Sequence, residues 1–136
     1  MTENKLYYTW QEFDKDIKTL AQSEWLKKQN IKNIYGIPRG GLIVAVRLSY
    51  IINKPVILNS HDIGKETLIV DDICDTGETL KKLFSLFDFN PPVFTIFYKT
   101  NPNFKPDFYF KEKTNWVVFP WEEESTSKYD GTFSAS

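Results

Sequence analysis

Nine consecutive residues, Asp71-Asp72-Ile73-Cys74-Asp75-Thr76-Gly77-Glu78-Thr79, bring together four carboxylates, two threonine hydroxyls and a glycine. The apolar run 68–70 before them reads as a buried strand, and Leu80, Leu83, Phe84 and Phe87 after them recur at helical spacing. The turn between lies at the carboxyl end of a strand, the edge where open α/β sheets bind ligands. Residues 76–79 can offer successive backbone N–H groups and the hydroxyls of Thr76 and Thr79 to a phosphate at a helix N-terminus. Like charge keeps Asp71 and Asp72 off that phosphate; vicinal ribose hydroxyls and a hard cation such as Mg2+ suit them instead. Glu78 can turn only its backbone N–H to a phosphate, so its side chain is expected to point outward. The plain alternative is an ordinary strand-turn-helix with acids solvated at the strand end. The order of strand, acids, turn and helix favours the ligand site.

The elements that must position this turn follow from periodicity. Thr9-Trp10-Gln11-Glu12 is a capping box, and Trp10, Phe13, Ile17, Leu20 and Ala21 mark one face of the helix it opens. Asp14, Asp16 and Lys18 fall on its solvated face. Residues 33–37 read as a short strand, followed by the turn Pro38-Arg39-Gly40-Gly41. The segment 42–52 is apolar nearly all round, as for a helix packed between a sheet and its neighbours. Further strands are expected over 55–58, 67–70, 93–98 and, at a late edge, 116–119. Strands alternating with helices imply an α/β fold with a parallel sheet. Arg39-Gly40-Gly41 then becomes a second strand-to-helix turn able to hold an anion through backbone amides and the Arg39 guanidinium, unless it is a glycine turn with a surface arginine.

Composition bounds the rest. A chain of 136 residues suits one domain. Net charge is −1, so no basic stripe accompanies the aromatics and nucleic acid is not an expected partner. Charged residues at 26% and aromatics at 16% fit a folded globule. No apolar run reaches the ~20 residues of a membrane-spanning helix, and the start shows no signal-peptide pattern. The lone Cys74 cannot form an internal disulfide, which favours a reducing cytoplasm, and reads as a small apolar filler rather than a reactive thiol. A Glu-, Ser- and Thr-rich tail, 122–136, is expected to be poorly ordered and distinct from the domain 1–121.

The acidic strand followed by Thr76-Gly77-Glu78-Thr79 resembles the phosphoribosyl-pyrophosphate signature of type I phosphoribosyltransferases. Tyr8-Thr9-Trp10, Arg39-Gly40-Gly41, Ile96-Phe97-Tyr98-Lys99 and Trp116-Val117-Val118-Phe119-Pro120-Trp121-Glu122 extend the likeness to the bacterial xanthine–guanine branch, over most of residues 5–122. The resemblance implies an open parallel sheet flanked by helices, with a reduced hood. It implies transfer of a phosphoribosyl group from phosphoribosyl pyrophosphate (PRPP) to a 6-oxopurine, with Mg2+, by a homo-oligomer (dimer or tetramer). Arg39 and Gly40 would hold pyrophosphate, with a strained or cis bond entering Gly40. Asp71 and Asp72 would take the ribose and metal, with Glu122 a further metal acid; residues 75–79 would cradle the 5′-phosphate. Lys99 would contact O6, Trp116 would stack on the base, and the Val117 carbonyl would read position 2. Asp75 would handle the N7 proton; from the residues alone it could equally cap the following helix. Lys99 could equally be a solvated strand end, and Trp116 and Val117 edge packing. Tyr7, Tyr8, Phe108 and Phe110 could serve an interface, or core and edge packing.

Two departures stand against the resemblance. Only about eight residues, 59–66, join two strands where the family carries a longer flap, and His61 within them reads as a solvent-exposed loop histidine. Another element, the tail or a neighbouring subunit, must cover the site, or turnover is slow. The latter opens a different class, a PRPP- or nucleotide-binding regulator. Val118 and Phe119 are apolar where the bacterial enzymes carry polar residues, which leaves the preferred 6-oxopurine open.

Overall fold

The computed structural model describes residues 5–113 and 116–125. Its elements run β1 (Lys5–Tyr7), α1 (Trp10–Gln22), α2 (Glu24–Gln29), β2 (Asn33–Gly36), α3 (Gly40–Ile52), β3 (Val56–Ile57), β4 (Thr67–Cys74), α4 (Glu78–Phe84), β5 (Val93–Tyr98), β6 (Phe108–Glu112) and β7 (Trp116–Val118). Five strands form one parallel sheet in the order β3-β2-β4-β5-β6, and β1 pairs in parallel with β7 as a separate two-stranded ribbon. No helix among the described residues is long and apolar enough to cross a membrane.

Local chemistry starts and stops these elements. Thr9 accepts from the Glu12 amide while the Glu12 carboxylate accepts from the Thr9 amide, the reciprocal cap expected at α1. Phe13, Ile17 and Leu20 are buried, whereas Trp10 is 54% exposed. Asn30 and Asn53 close α2 and α3 in the left-handed region, which asparagine tolerates. One buried cluster gathers α1, α3 and the ribbon on one face of the sheet (Phe13, Ile17, Val44, Leu48, Phe97, Phe119). A second gathers α4 with Ile37, Ile69 and Tyr98. The central strands β4 and β5 are buried along their whole length, as a parallel sheet covered on both faces requires.

Several expectations change. Strand β4 runs to Cys74 rather than ending at Val70, because its ladder to β5 continues through Cys74↔Tyr98; Asp71 and Asp72 therefore lie inside the strand. Residues 108–112 form an edge strand, so Phe108 and Phe110 pack against Phe94 instead of lining an open surface. Tyr8 is buried against Phe97 and Phe119, leaving Tyr7 as the exposed member of its pair. Asp16 is not simply solvated: it accepts from the Tyr8 hydroxyl and pairs with Lys111 at 3.5 Å. Helix α3 is not buried all round, since Val46 and Tyr50 face outward and with Trp10 and Phe13 line an open apolar groove. The tail's first residues are tied down, Glu124 accepting from Lys5 and from Tyr7, and its remainder lies outside the described residues.

Candidate active site

The carboxyl edge of the sheet gathers most of the residues picked out by their chemistry. Asp71 and Asp72 are each 3% exposed near the end of β4. The Asp72 backbone amide donates to the Asp71 carboxylate at 2.8 Å. Asp72 Oδ1 is buried with no hydrogen-bond partner, and burial pushes its carboxyl above the ordinary value despite the Asp71 and backbone bonds that oppose it. A buried carboxylate oxygen without a donor is costly, and natural structures keep one where a ligand or ion completes it.

The turn from β2 to α3 lies directly over these acids. A Cβ on Gly40 would stand 1.9 Å from Asp72 Oδ2, so glycine is required here by close approach. Gly77 is the one glycine with positive φ among the described residues, so unusual φ is not what Gly40 and Gly41 supply to this turn. The cis peptide of this turn joins Pro38 to Arg39, one bond before the position the resemblance implied. Glu122 arrives from the far end of the chain. Its carboxylate accepts from the Phe119 amide at 2.9 Å. Burial pushes the Glu122 carboxyl up to about 7, with the nearby Asp72 charge adding and the Phe119 bond and Arg39 opposing. Among the described residues no three acidic, histidine or cysteine side chains converge as a metal cluster. A hard ion held by one or two carboxylates and its substrate's oxygens needs no such cluster, and the orphaned Asp72 oxygen fits that role.

The bend at the end of β4 is built from behind. Gly77 has φ +77, and a Cβ there would meet Asn101 Oδ1 at 2.3 Å. Asn101 donates to the carbonyls of Asp75 (3.0 Å) and Lys99 (2.9 Å), and its own oxygen accepts the amides of Asn103 and Phe104, each at 2.9 Å. Asn103 donates to the Thr76 carbonyl at 2.8 Å. Two bend carbonyls are thus occupied on the rear side. Gly77 and Thr79 line a hollow of about 10 Å³ with Asp71 and Asp75. That is roughly one water's worth of space, so a larger anion would rest on the bend's outer surface. Thr76 accepts from the Glu78 amide at 3.3 Å, and the Glu78 side chain is exposed, as expected. The sequence reading missed both asparagines. The signal was present in Asn101-Pro102-Asn103, since Asx residues bond to backbone a few positions away.

Asp75 does not cap α4, whose cap is Gly77. Its carboxylate instead accepts from Lys113 at 2.6 Å and lies 3.8 Å from the Lys99 ammonium. Lys113 was not foreseen. Val117 is buried in the ribbon, and Lys5 lies 4.6 Å from the centre of the Trp116 ring. The structure thus brings Asp75 to Lys99 and Asp72 to Gly40, with Glu122 and Arg39 within electrostatic reach. Trp116 and Val117 stand on β7, in the two-stranded ribbon rather than in the sheet that carries Asp75 and Lys99. The connection 58–66 contains one short 3-10 turn, Ser60–Asp62, and is pegged down by buried Ile63 and by the Gly64 amide donating to Thr67 at 2.9 Å. It is a tight connection rather than a lid, and His61 on it is exposed.

No family model matches the chain. It is 30% identical to a xanthine-guanine phosphoribosyltransferase from Gluconobacter oxydans, across 84% of this chain and 82% of that one. A xanthine-guanine phosphoribosyltransferase from Desulfotalea psychrophila is 27% identical across 86% of each. The crystal structure of purine phosphoribosyltransferase from Pyrococcus horikoshii superposes with a TM-score of 0.73 at 33% identity, over 88% of this chain and 95% of that one. With this identity over most of both chains and a matching fold, the chain belongs to the xanthine–guanine phosphoribosyltransferase family of purine phosphoribosyltransferases.

Proposed function

We propose that this protein is a salvage enzyme that transfers the phosphoribosyl group of PRPP to a 6-oxopurine and releases pyrophosphate, with Mg2+ as cofactor, in the reducing cytoplasm and as a homo-oligomer. The observation that carries the reading is the orphaned Asp72 oxygen beneath the Gly40 turn, one strand-end away from the amide bend at Gly77. In this reading residues 76–79 hold the 5′-phosphate, and Asp71 and Asp72 meet the ribose oxygens. Arg39 and the Gly40 turn receive the pyrophosphate. Asp72, with Glu122, would hold Mg2+, which when bound stabilises charge building on the departing anion. Lys99 donates to the exocyclic O6, Trp116 packs on the ring, and the Val117 carbonyl faces position 2. Asp75 accepts the N7 proton as the base gains its bond to C1, a contribution of about 10²–10⁴-fold for well-placed acid–base groups.

The pegged connection 58–66 favours one competing reading, a PRPP- or nucleotide-binding regulator with little turnover. The two separate in one assay. Purified protein is incubated with PRPP and guanine, xanthine or hypoxanthine, with Mg2+ or with a chelator, and nucleotide is quantified by chromatography. The proposal expects nucleotide from at least one base, lost on chelation. Tight donor binding without product from any base would establish the regulator instead.

A further inference from the structure

We propose that Lys113 is a positioning residue for 6-oxopurine recognition: by holding Asp75 it keeps the Lys99 ammonium available to the base. This rests on the salvage reading of the same site. The placement follows from sheet register. Cys74, Tyr98 and Glu112 are cross-strand partners at the ends of β4, β5 and β6. The next residue of each strand, Asp75, Lys99 and Lys113, therefore emerges side by side at the ligand edge. Lys113 is anchored there by its own amide, which donates to the Tyr98 carbonyl at 2.8 Å. Asn101 ties the Asp75 and Lys99 carbonyls together across the same edge.

The two lysines do different jobs. Lys113 is mostly covered, 19% exposed, and donates to Asp75 Oδ2 at 2.6 Å. Lys99 is 60% exposed and stands 3.8 Å from the other oxygen, beyond a good hydrogen bond. A lysine bound tightly to a carboxylate would have to be stripped from it before donating to an uncharged carbonyl. With Lys113 satisfying Asp75, Lys99 escapes that cost. Two ammonium groups beside one carboxylate also leave this corner of the edge net positive. Such an edge suits the electron-rich O6 and repels the N–H donors of a 6-amino group. If Lys113 is removed, Asp75 should turn to Lys99, and the base should lose its donor.

The experiment is calorimetric titration of wild type, Lys113→Met and Lys113→Arg with GMP, AMP and PRPP, each with Mg2+. Lys113→Met should weaken GMP about tenfold, as for loss of one charged hydrogen bond. PRPP affinity should stay within about twofold, and AMP binding should not weaken. Lys113→Arg should regain most of the GMP affinity. Lys113→Gln repeats the test should the methionine variant fail to fold. Unchanged GMP affinity, an equal fall for PRPP and GMP, or no recovery with arginine would each overturn the proposal. Wild type that shows the binding pattern yet forms no nucleotide would sink the salvage reading alone.

Discussion

Replacing Glu122 by glutamine should make the ligand-free protein more stable at neutral pH while leaving its acid stability nearly unchanged. The carboxyl titrates near 7 instead of its ordinary 4.5, because burial and the Asp72 charge disfavour its ionised form. Between those values the unfolded chain has released this proton while the folded chain still holds it. Stability therefore falls as pH rises from 4.5 towards 7, and levels off above. Each tenfold change in proton affinity is about 1.4 kcal/mol, so the full displacement would correspond to about 3 kcal/mol. Because the group is only half-buried, solvent screening reduces this to about 1–2 kcal/mol. Glutamine keeps an oxygen for the Phe119 amide and carries no charge to desolvate. Urea melts of both proteins from pH 4 to 8, without metal or nucleotide, read the difference directly. The variant should match wild type near pH 4 and exceed it by about 1–2 kcal/mol above pH 7, or about 5 °C in Tm for a domain of this size. Parallel stability curves across that window would refute the burial argument.

Two further substitutions test how the site is assembled. Gly40→Ala places a methyl group 1.9 Å from Asp72 Oδ2, so it should cost about 1–3 kcal/mol in urea melts by overpacking, and weaken PRPP in calorimetry. Unchanged stability and affinity would mean that the turn does not press on the acid. Asn101→Ala removes the bonds that fix the bend carbonyls and should cost about 2 kcal/mol. PRPP affinity should fall more than the affinity for free guanine; equal losses would show a general rather than local effect.

Much of this fold was legible because apolar patterning and turn chemistry agreed. Val93–Tyr98 is found as expected, and the Thr9–Glu12 box opens α1. The acids after Val70 were misplaced into a turn because carboxylates are poor strand residues in isolation. Burial between two covered faces and the ladder to β5 override that propensity. Strand β6 was hidden by Pro102 and Pro106, which mark a loop, and by its edge position with the charged pair Lys111-Glu112 at its end. Side-chain partners across the chain were illegible by nature. Lys113 reaches Asp75 only because strands β4, β5 and β6 end level, and register is a tertiary fact. The same holds for Gly40, whose need for glycine comes from Asp72, distant in sequence and adjacent in space.

PRPP is proposed to rest on the amide bend at Gly77 and against the Gly40 turn. Amide NMR spectra of the 16.0 kDa protein, recorded during titration with PRPP and Mg2+, test this residue by residue. The Gly77, Glu78 and Thr79 amides, together with those of Gly40 and Gly41, should shift most and in step with one binding curve. Shifts confined to the groove around Trp10, Val46 and Tyr50, with the bend amides unmoved, would refute that placement of PRPP.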